Sequence, residues 1–149
     1  MRQAQVKFAW QPLQTDAWGF GGAIGATAFP RREAAADKAD PYAYLIASRS
    51  LFGDALLVHA NAGVGRERDF GRNVAIWALG AEVLLASGFH FLPEIYRPGS
   101  GRPYYQLSLR HAVAKAVLLD VSYGNRASSG SAENWWSIGV HIDTPPFLP

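Results

Sequence analysis

The sequence predicts an all-β chain, an antiparallel up-and-down transmembrane β-barrel with about nine meander strands. Three observations predict it. Apolar and polar residues alternate with period 2 in four separate segments. The connections alternate between short and long, and single charges punctuate otherwise apolar runs.

The alternation is clearest in 56–65, where Leu56, Val58, Ala60, Ala62 and Val64 oppose Leu57, His59, Asn61, Gly63 and Gly65. Successive strand residues point to opposite sides, so one face is apolar and the other polar or small. In 104–110, Tyr105, Leu107 and Leu109 oppose Tyr104, Gln106, Ser108 and Arg110. In 117–124, Val117, Leu119, Val121 and Tyr123 oppose Leu118, Asp120, Ser122 and Gly124. The last segment, 135–142, sets Trp136, Ile138, Val140 and Ile142 against Trp135, Ser137, Gly139 and His141. Less regular strands are predicted at 5–11, 18–28, 42–50, 74–85 and 89–96. The stretch 74–86 contains good helix formers, but its neighbours favour a strand. The Ala- and charge-rich 31–40 suits a helical turn in a surface loop.

Short links are expected at 13–17, 51–54, 86–88 and 111–116, and long polar ones at 29–41, 66–72, 97–103 and 125–134. This polarity brings the last strand to the short-turn side, where a barrel's C-terminal strand ends. Single-chain bacterial barrels have an even strand number, so nine predicts a missing earlier strand or closure by another chain. The expectation is thus one barrel domain over 1–149, or a C-terminal barrel fragment. Residues 1–10 hold no apolar core and no cleavage-site pattern, so no secretory signal is expected in this chain.

Composition narrows the class further. Hydrophobic residues make up 49%, yet the richest run, 74–89, is interrupted by Glu82, which argues against a helical membrane span. With no Cys, neither a disulfide framework nor a thiolate metal site is possible. Fourteen Lys and Arg nearly balance twelve Asp and Glu, which argues against a nucleic-acid partner.

Alternation alone does not choose which face meets lipid. Large residues crowd the apolar face while Gly, Ala, Ser and both signs of charge share the other, which favours lipid outside. Val58, Ala60, Leu107, Leu119, Val121, Ile138 and Val140 are then lipid-facing, and Arg49, His59, Asn61, Glu82, Glu94, Arg110, Asp120 and His141 face a lumen. Tyr96, Tyr105, Tyr123 and Trp136 flank the long loops as an aromatic girdle, with Tyr104 and Trp135 beside them. Trp10, Trp18, Phe52, Phe89 and Phe147 mark the opposite interface.

No catalytic, cofactor or metal site is expected. His59, His90, His111 and His141 lack a tight spacing such as H-x-x-x-H. A hydrogen-bonded network of His59 and His141 with Asn61, Ser137 and Asp143 is the simpler reading. The glycine run 19–25 lacks the Lys of a phosphate loop. Arg66, Glu67, Arg68, Asp69 and Arg72 make a mixed-charge loop suited to solvent or to lipopolysaccharide phosphates.

The segments PYYQLSLRH from Pro103, VLLDVSYGNR from Val117 and WWSIGVHIDTPPFLP from Trp135 resemble a proteobacterial outer-membrane family. It is the transporter-like group of the meta-pathway of phenol degradation, with its uncharacterised relatives, over roughly the last ninety residues. Ser137, Gly139 and Ile142 are similar to the C-terminal signal read by barrel-assembly machinery. The chain departs from that pattern by continuing through Pro145 and Pro146 to Pro149 rather than finishing on an aromatic. The resemblance implies an outer-membrane location, contact with outer-membrane lipid and lipopolysaccharide, and passive uptake of small hydrophobic or aromatic solutes. Alternatives are a structural or interaction barrel with a plugged lumen, a lipid hydrolase or acyltransferase barrel, and a soluble lipocalin-like binder.

Overall fold

The computed structural model describes residues 2–10, 14–28, 39–68, 70–114, 117–127 and 133–142. Nine strands are formed: β1 (Arg2–Trp10), β2 (Trp18–Ala28), β3 (Ala39–Leu51), β4 (Leu56–Glu67), β5 (Arg72–Leu84), β6 (Phe89–Arg97), β7 (Tyr104–Ala114), β8 (Val117–Arg126) and β9 (Trp135–Ile142). They make one sheet in sequence order, every neighbour antiparallel, with β1 and β9 at its edges. The fold is therefore an all-β meander. Its one helical element among the described residues is a 3-10 turn, Ala86–Gly88, and no helix is long and apolar enough to cross a membrane.

The segment 74–85 is a strand, because the period-2 pattern and two antiparallel neighbours outweigh the helix preference of Ala and Leu. Two connections differ from expectation. The mixed-charge loop shrinks to the four residues 68–71, since Arg66, Glu67 and Arg72 continue the β4–β5 ladder. The link expected at 111–116 is mostly strand, since β7 runs on to Ala114 through a bulge between Ala112 and Ala114. Of the helical turn expected at 31–40, 31–38 lie outside the described residues, and Ala39 and Asp40 open β3.

Tight turns are fixed by backbone chemistry. Phe52, Gly53 and Asp54 are all left-handed, with φ of 58°, 65° and 66°. Their strain is offset by a neighbouring turn: the Gly53 N–H donates to Asp16 Oδ1 (2.9 Å) and the Asp16 N–H to Asp54 Oδ1 (3.3 Å). The Ala17 N–H adds a bond to Ser50 Oγ (2.9 Å). The β1–β2 and β3–β4 turns thus lock each other at one end of the sheet.

Register divides the residues into two faces. Trp10 faces Phe20, Gly22 faces Leu45, Ala47 faces Ala60, and Ala60 faces Leu79. The same face continues through Leu79–Ile95, Pro93–Leu107, Leu109–Val121 and Val121–Ile138. It is apolar across nine strands. Nothing covers it among the described residues: Ile138 is 81% exposed, Leu45 74% and Val6 72%. Among the described residues the buried hydrophobic ones are Ala23 and Ala78, which do not make an ordinary hydrophobic core.

The other face is polar or small, and its glycines have a packing role. A Cβ on Gly63 would strike the Ala43 carbonyl oxygen and Tyr44, and one on Gly124 would strike the Trp135 ring. Bare backbone there lets large rings lie flat across the adjacent strand. Gly25 gives the same room to Tyr42.

Two expected placements are corrected by the register. Arg49 pairs with Trp18 and Val58 on the apolar face, its guanidinium 5.2 Å from the Trp18 ring centre. Strict alternation from Leu45 and Ala47 leaves it no other side, and two residues from the end of β3 it stacks on an aromatic. Tyr96 leaves the girdle: it pairs with Tyr104 on the polar face, because Ile95 takes the apolar side. Tyr105, Tyr123 and Trp136 do share the apolar face and pack in a row, with ring centres 6.3 and 4.9 Å apart.

Candidate functional site

The polar face lines two adjoining cavities. His59, Asn61, Glu82, Glu94, Arg110 and Asp120 all lie on it, by register with Gly80, Ala78, Leu57, Gln106, His90 and Gly139 respectively. His141 falls opposite Leu118 on the same face, and its side chain lies outside the described residues, as does Asp143. Val58, Ala60, Leu107, Leu119, Val121, Ile138 and Val140 take the apolar face.

The larger cavity, about 770 Å3, opens between the loop 98–103 and the Arg66–Glu67 end of β4. Residues as far apart as Gln5 of β1 and Trp135 of β9 line it, so the polar face is the concave one. Its walls are aromatic: Tyr42 stacks with Tyr44 at 6.1 Å and Tyr96 with Tyr104 at 5.6 Å. Arg126 lies over the Tyr104 ring at 5.7 Å. Four arginines, Arg66, Arg97, Arg102 and Arg126, reach the lining, together with Asp40, Glu67 and Glu94.

The rim is tied by charge-assisted bonds. Arg72 Nε donates to Glu67 Oε2 (2.9 Å), the Ser100 N–H donates to Glu67 Oε1 (2.8 Å), and Arg72 Nη2 donates to Ser100 Oγ (2.5 Å). The Ser100 amide first, and then Arg72, hold the Glu67 carboxyl below its ordinary value of 4.5, against an opposing effect of burial. Asp40 Oδ1 accepts the Arg68 N–H (3.0 Å), and Arg126 Nη1 donates to Glu133 Oε1 (3.1 Å). Loops from β4 through β9 are thereby held in one arrangement.

Glu94 and Gln106 line both cavities and form the boundary between them. The second, about 250 Å3, adds His59, Ser108, Arg110, Asp120 and Ser122. Beside it, on the same face, Glu82 bridges His90 Nδ1 (2.8 Å) and Arg110 Nη1 (3.8 Å). Arg110 faces Asp120 across the β7–β8 ladder. Ser108 and Ser122 share a buried hydroxyl bond of 2.8 Å, and Gln106 Nε2 donates to Ser108 (3.1 Å). Opposite charges in a low-dielectric groove pair where their strands adjoin, which gives this half a cross-linked polar floor.

Ser108 and Ser122 join each other and Gln106, while His90 joins Glu82. His111 lies on the apolar face, stacked on Phe89 at 4.1 Å. No cluster of three or more metal-ligating side chains occurs among the described residues.

The cavity wall includes residues that the sequence reading did not single out as a site: Tyr42, Tyr44, Arg126, and Tyr104 and Trp135, which it left beside the girdle. The parity of alternation carries the signal. Tyr104 shares its face with Gln106, and Trp135 with Ser137 and Gly139. Comparison with family models, curated proteins and solved structures returns no match for this chain.

Proposed function

We propose that this chain forms the wall of a bacterial outer-membrane β-barrel that passively admits small hydrophobic or aromatic solutes along its concave face. One observation carries the reading: among the described residues nothing covers the apolar face of the nine strands. Soluble monomers rarely expose an apolar patch above a few hundred Å2, because water charges about 25 cal/mol for each Å2 left bare. Lipid removes that cost. The distribution of ionisable groups on this face supports the same reading. Arg49, Arg66, Arg97 and His111 each lie within three residues of a strand end, and the middle of the face carries none. Charges at the ends reach headgroups, whereas a charge at mid-depth is costly.

Strand lengths of 8 to 13 residues suit a tilted crossing, for which about 9–11 are needed. Tyr105, Tyr123 and Trp136 form the aromatic belt of the loop end, and Trp10, Trp18 and Phe89 that of the turn end. Outer-membrane lipid and lipopolysaccharide are then the surrounding partners, the rim arginines meeting phosphates, and barrel-assembly machinery inserts the chain. The resemblance of its C-terminal segments to transporter-like barrels of the phenol meta-pathway group fits this assignment. In lipid the edges of β1 and β9 must also be paired, since no water satisfies their amides.

The test is reconstitution into lipid vesicles, followed by protease protection of the strands and vesicle swelling in small neutral solutes, aromatic ones included. Insertion with solute entry is the expected result. Insertion without entry overturns the channel and favours a plugged wall, and recovery of folded protein in detergent-free buffer overturns the membrane assignment.

A further inference from the structure

The larger cavity combines features that together select one kind of small molecule. Its volume of about 770 Å3 lies within the range of roughly 300–1,000 Å3 typical of small-molecule sites. Tyr42, Tyr44, Tyr96, Tyr104 and Trp135 present flat faces and edges, which suit a planar ring by offset or edge-to-face contact. The loop-end rim is basic. Its two acids are already engaged: Glu67 by Arg72 and the Ser100 amide, Asp40 by the Arg68 amide. Each guanidinium offers five N–H donors in a fork that fits a carboxylate. The inner boundary has the opposite sign, because Glu94 separates the aromatic chamber from the smaller cavity, where Arg110 is offset by Asp120 across the β7–β8 ladder.

We propose that this chamber binds small aromatic monocarboxylates, ring against the tyrosines and Trp135, carboxylate toward Arg102 and Arg126. The polarity follows from the charges at its two ends. A carboxylate at the rim gains charge-assisted hydrogen bonds, whereas one pointing inward meets the like charge of Glu94. A second carboxylate across the ring is therefore rejected, and a neutral ring of the same size loses the rim contact. Asn61 adds a wall contact: its Oδ1 is buried without a partner in this chamber and accepts a hydroxyl carried on the ring. The inference takes from the proposed function only that solutes enter at this end of the concave face. It names their class.

The experiment is isothermal titration of the full chain, refolded in detergent micelles, with benzoate, benzyl alcohol and terephthalate. Benzoate is expected to bind more tightly than either of the others, and to weaken as salt is raised. The double variant R102Q/R126Q should weaken benzoate by about tenfold or more, the loss of a charge-assisted bond, and leave benzyl alcohol unchanged. Because Arg126 also ties Glu133, a second variant keeps the test independent of rim folding: E94Q should strengthen terephthalate binding by a larger factor than benzoate binding. Benzyl alcohol binding as tightly as benzoate, or E94Q leaving terephthalate unchanged, overturns the proposal. Micelle binding is read without insertion or passage, so a chain that enters vesicles and admits neutral solutes yet ignores benzoate refutes this site alone. Benzoate binding by a chain that does not insert refutes the membrane reading and leaves the site standing.

Discussion

Replacing Leu45 with arginine puts a charge at the centre of the apolar face. β3 spans thirteen residues, Ala39–Leu51, with Leu45 seventh, flanked by Gly22 and Ala62. At about 3.3 Å per residue and a tilt near 40°, the strand rises roughly 33 Å, so Leu45 lies about 15 Å from either end. That is the midplane of a hydrocarbon layer about 30 Å thick. Arginine there is expected to cost about 2–4 kcal/mol in lipid, a roughly 30- to 1,000-fold loss in the folding equilibrium. In water the same change at a site 74% exposed shifts stability by no more than about 0.5 kcal/mol. Arg49 supplies the internal control. It shares the face but lies four residues nearer the strand end, so Arg49→Leu should change stability by less than about 1 kcal/mol. The measurement is urea titration of vesicle-reconstituted protein by tryptophan fluorescence. A Leu45→Arg variant within about 0.5 kcal/mol of the parent in vesicles would refute the argument that lipid covers this face.

Gly63→Ala should destabilise the sheet by about 1–3 kcal/mol in the same titration, because its methyl group meets the Ala43 carbonyl, whereas Gly65→Ala, where the nearest neighbour is Ile76 Cγ2 at 3.4 Å, should be tolerated. Asp16→Ala removes the acceptor of the Gly53 amide and leaves the three consecutive left-handed residues only the bond from the residue-16 amide to Asp54; a loss of about 1 kcal/mol, with faster amide exchange at 52–55, is expected. Glu67 has a folded pKa below 4.5, so its stabilisation of the rim is fully present above that value and is lost as pH falls through the lower folded one. Amide exchange of 98–103 should accordingly rise below about pH 4.5 in the parent, and Glu67→Gln should remove that pH dependence.

The sequence by itself determined the strand count, the meander order and nearly all of the two-faced division, because a strand's side chains alternate whatever it packs against. The regular runs at 56–65, 104–110, 117–124 and 135–142 are strands with the expected faces. Parity alone also puts His59, Asn61, Glu82, Glu94, Arg110 and Asp120 on the polar side of their strands. Arg49 and Tyr96 were misassigned where residue chemistry was allowed to outrank parity: a lone charge was sent inward and a loop-side tyrosine outward. Only the tertiary structure decided how the polar residues group. Register joins Glu82 to His90 and Arg110, residues 8 and 28 positions away, and curvature brings Gln5 of the first strand and Trp135 of the last to one cavity. Alternation is a local property of the backbone, while register and curvature are set by every neighbouring pair together. The face of each residue is therefore readable from the chain, and its partner across the concave side is not.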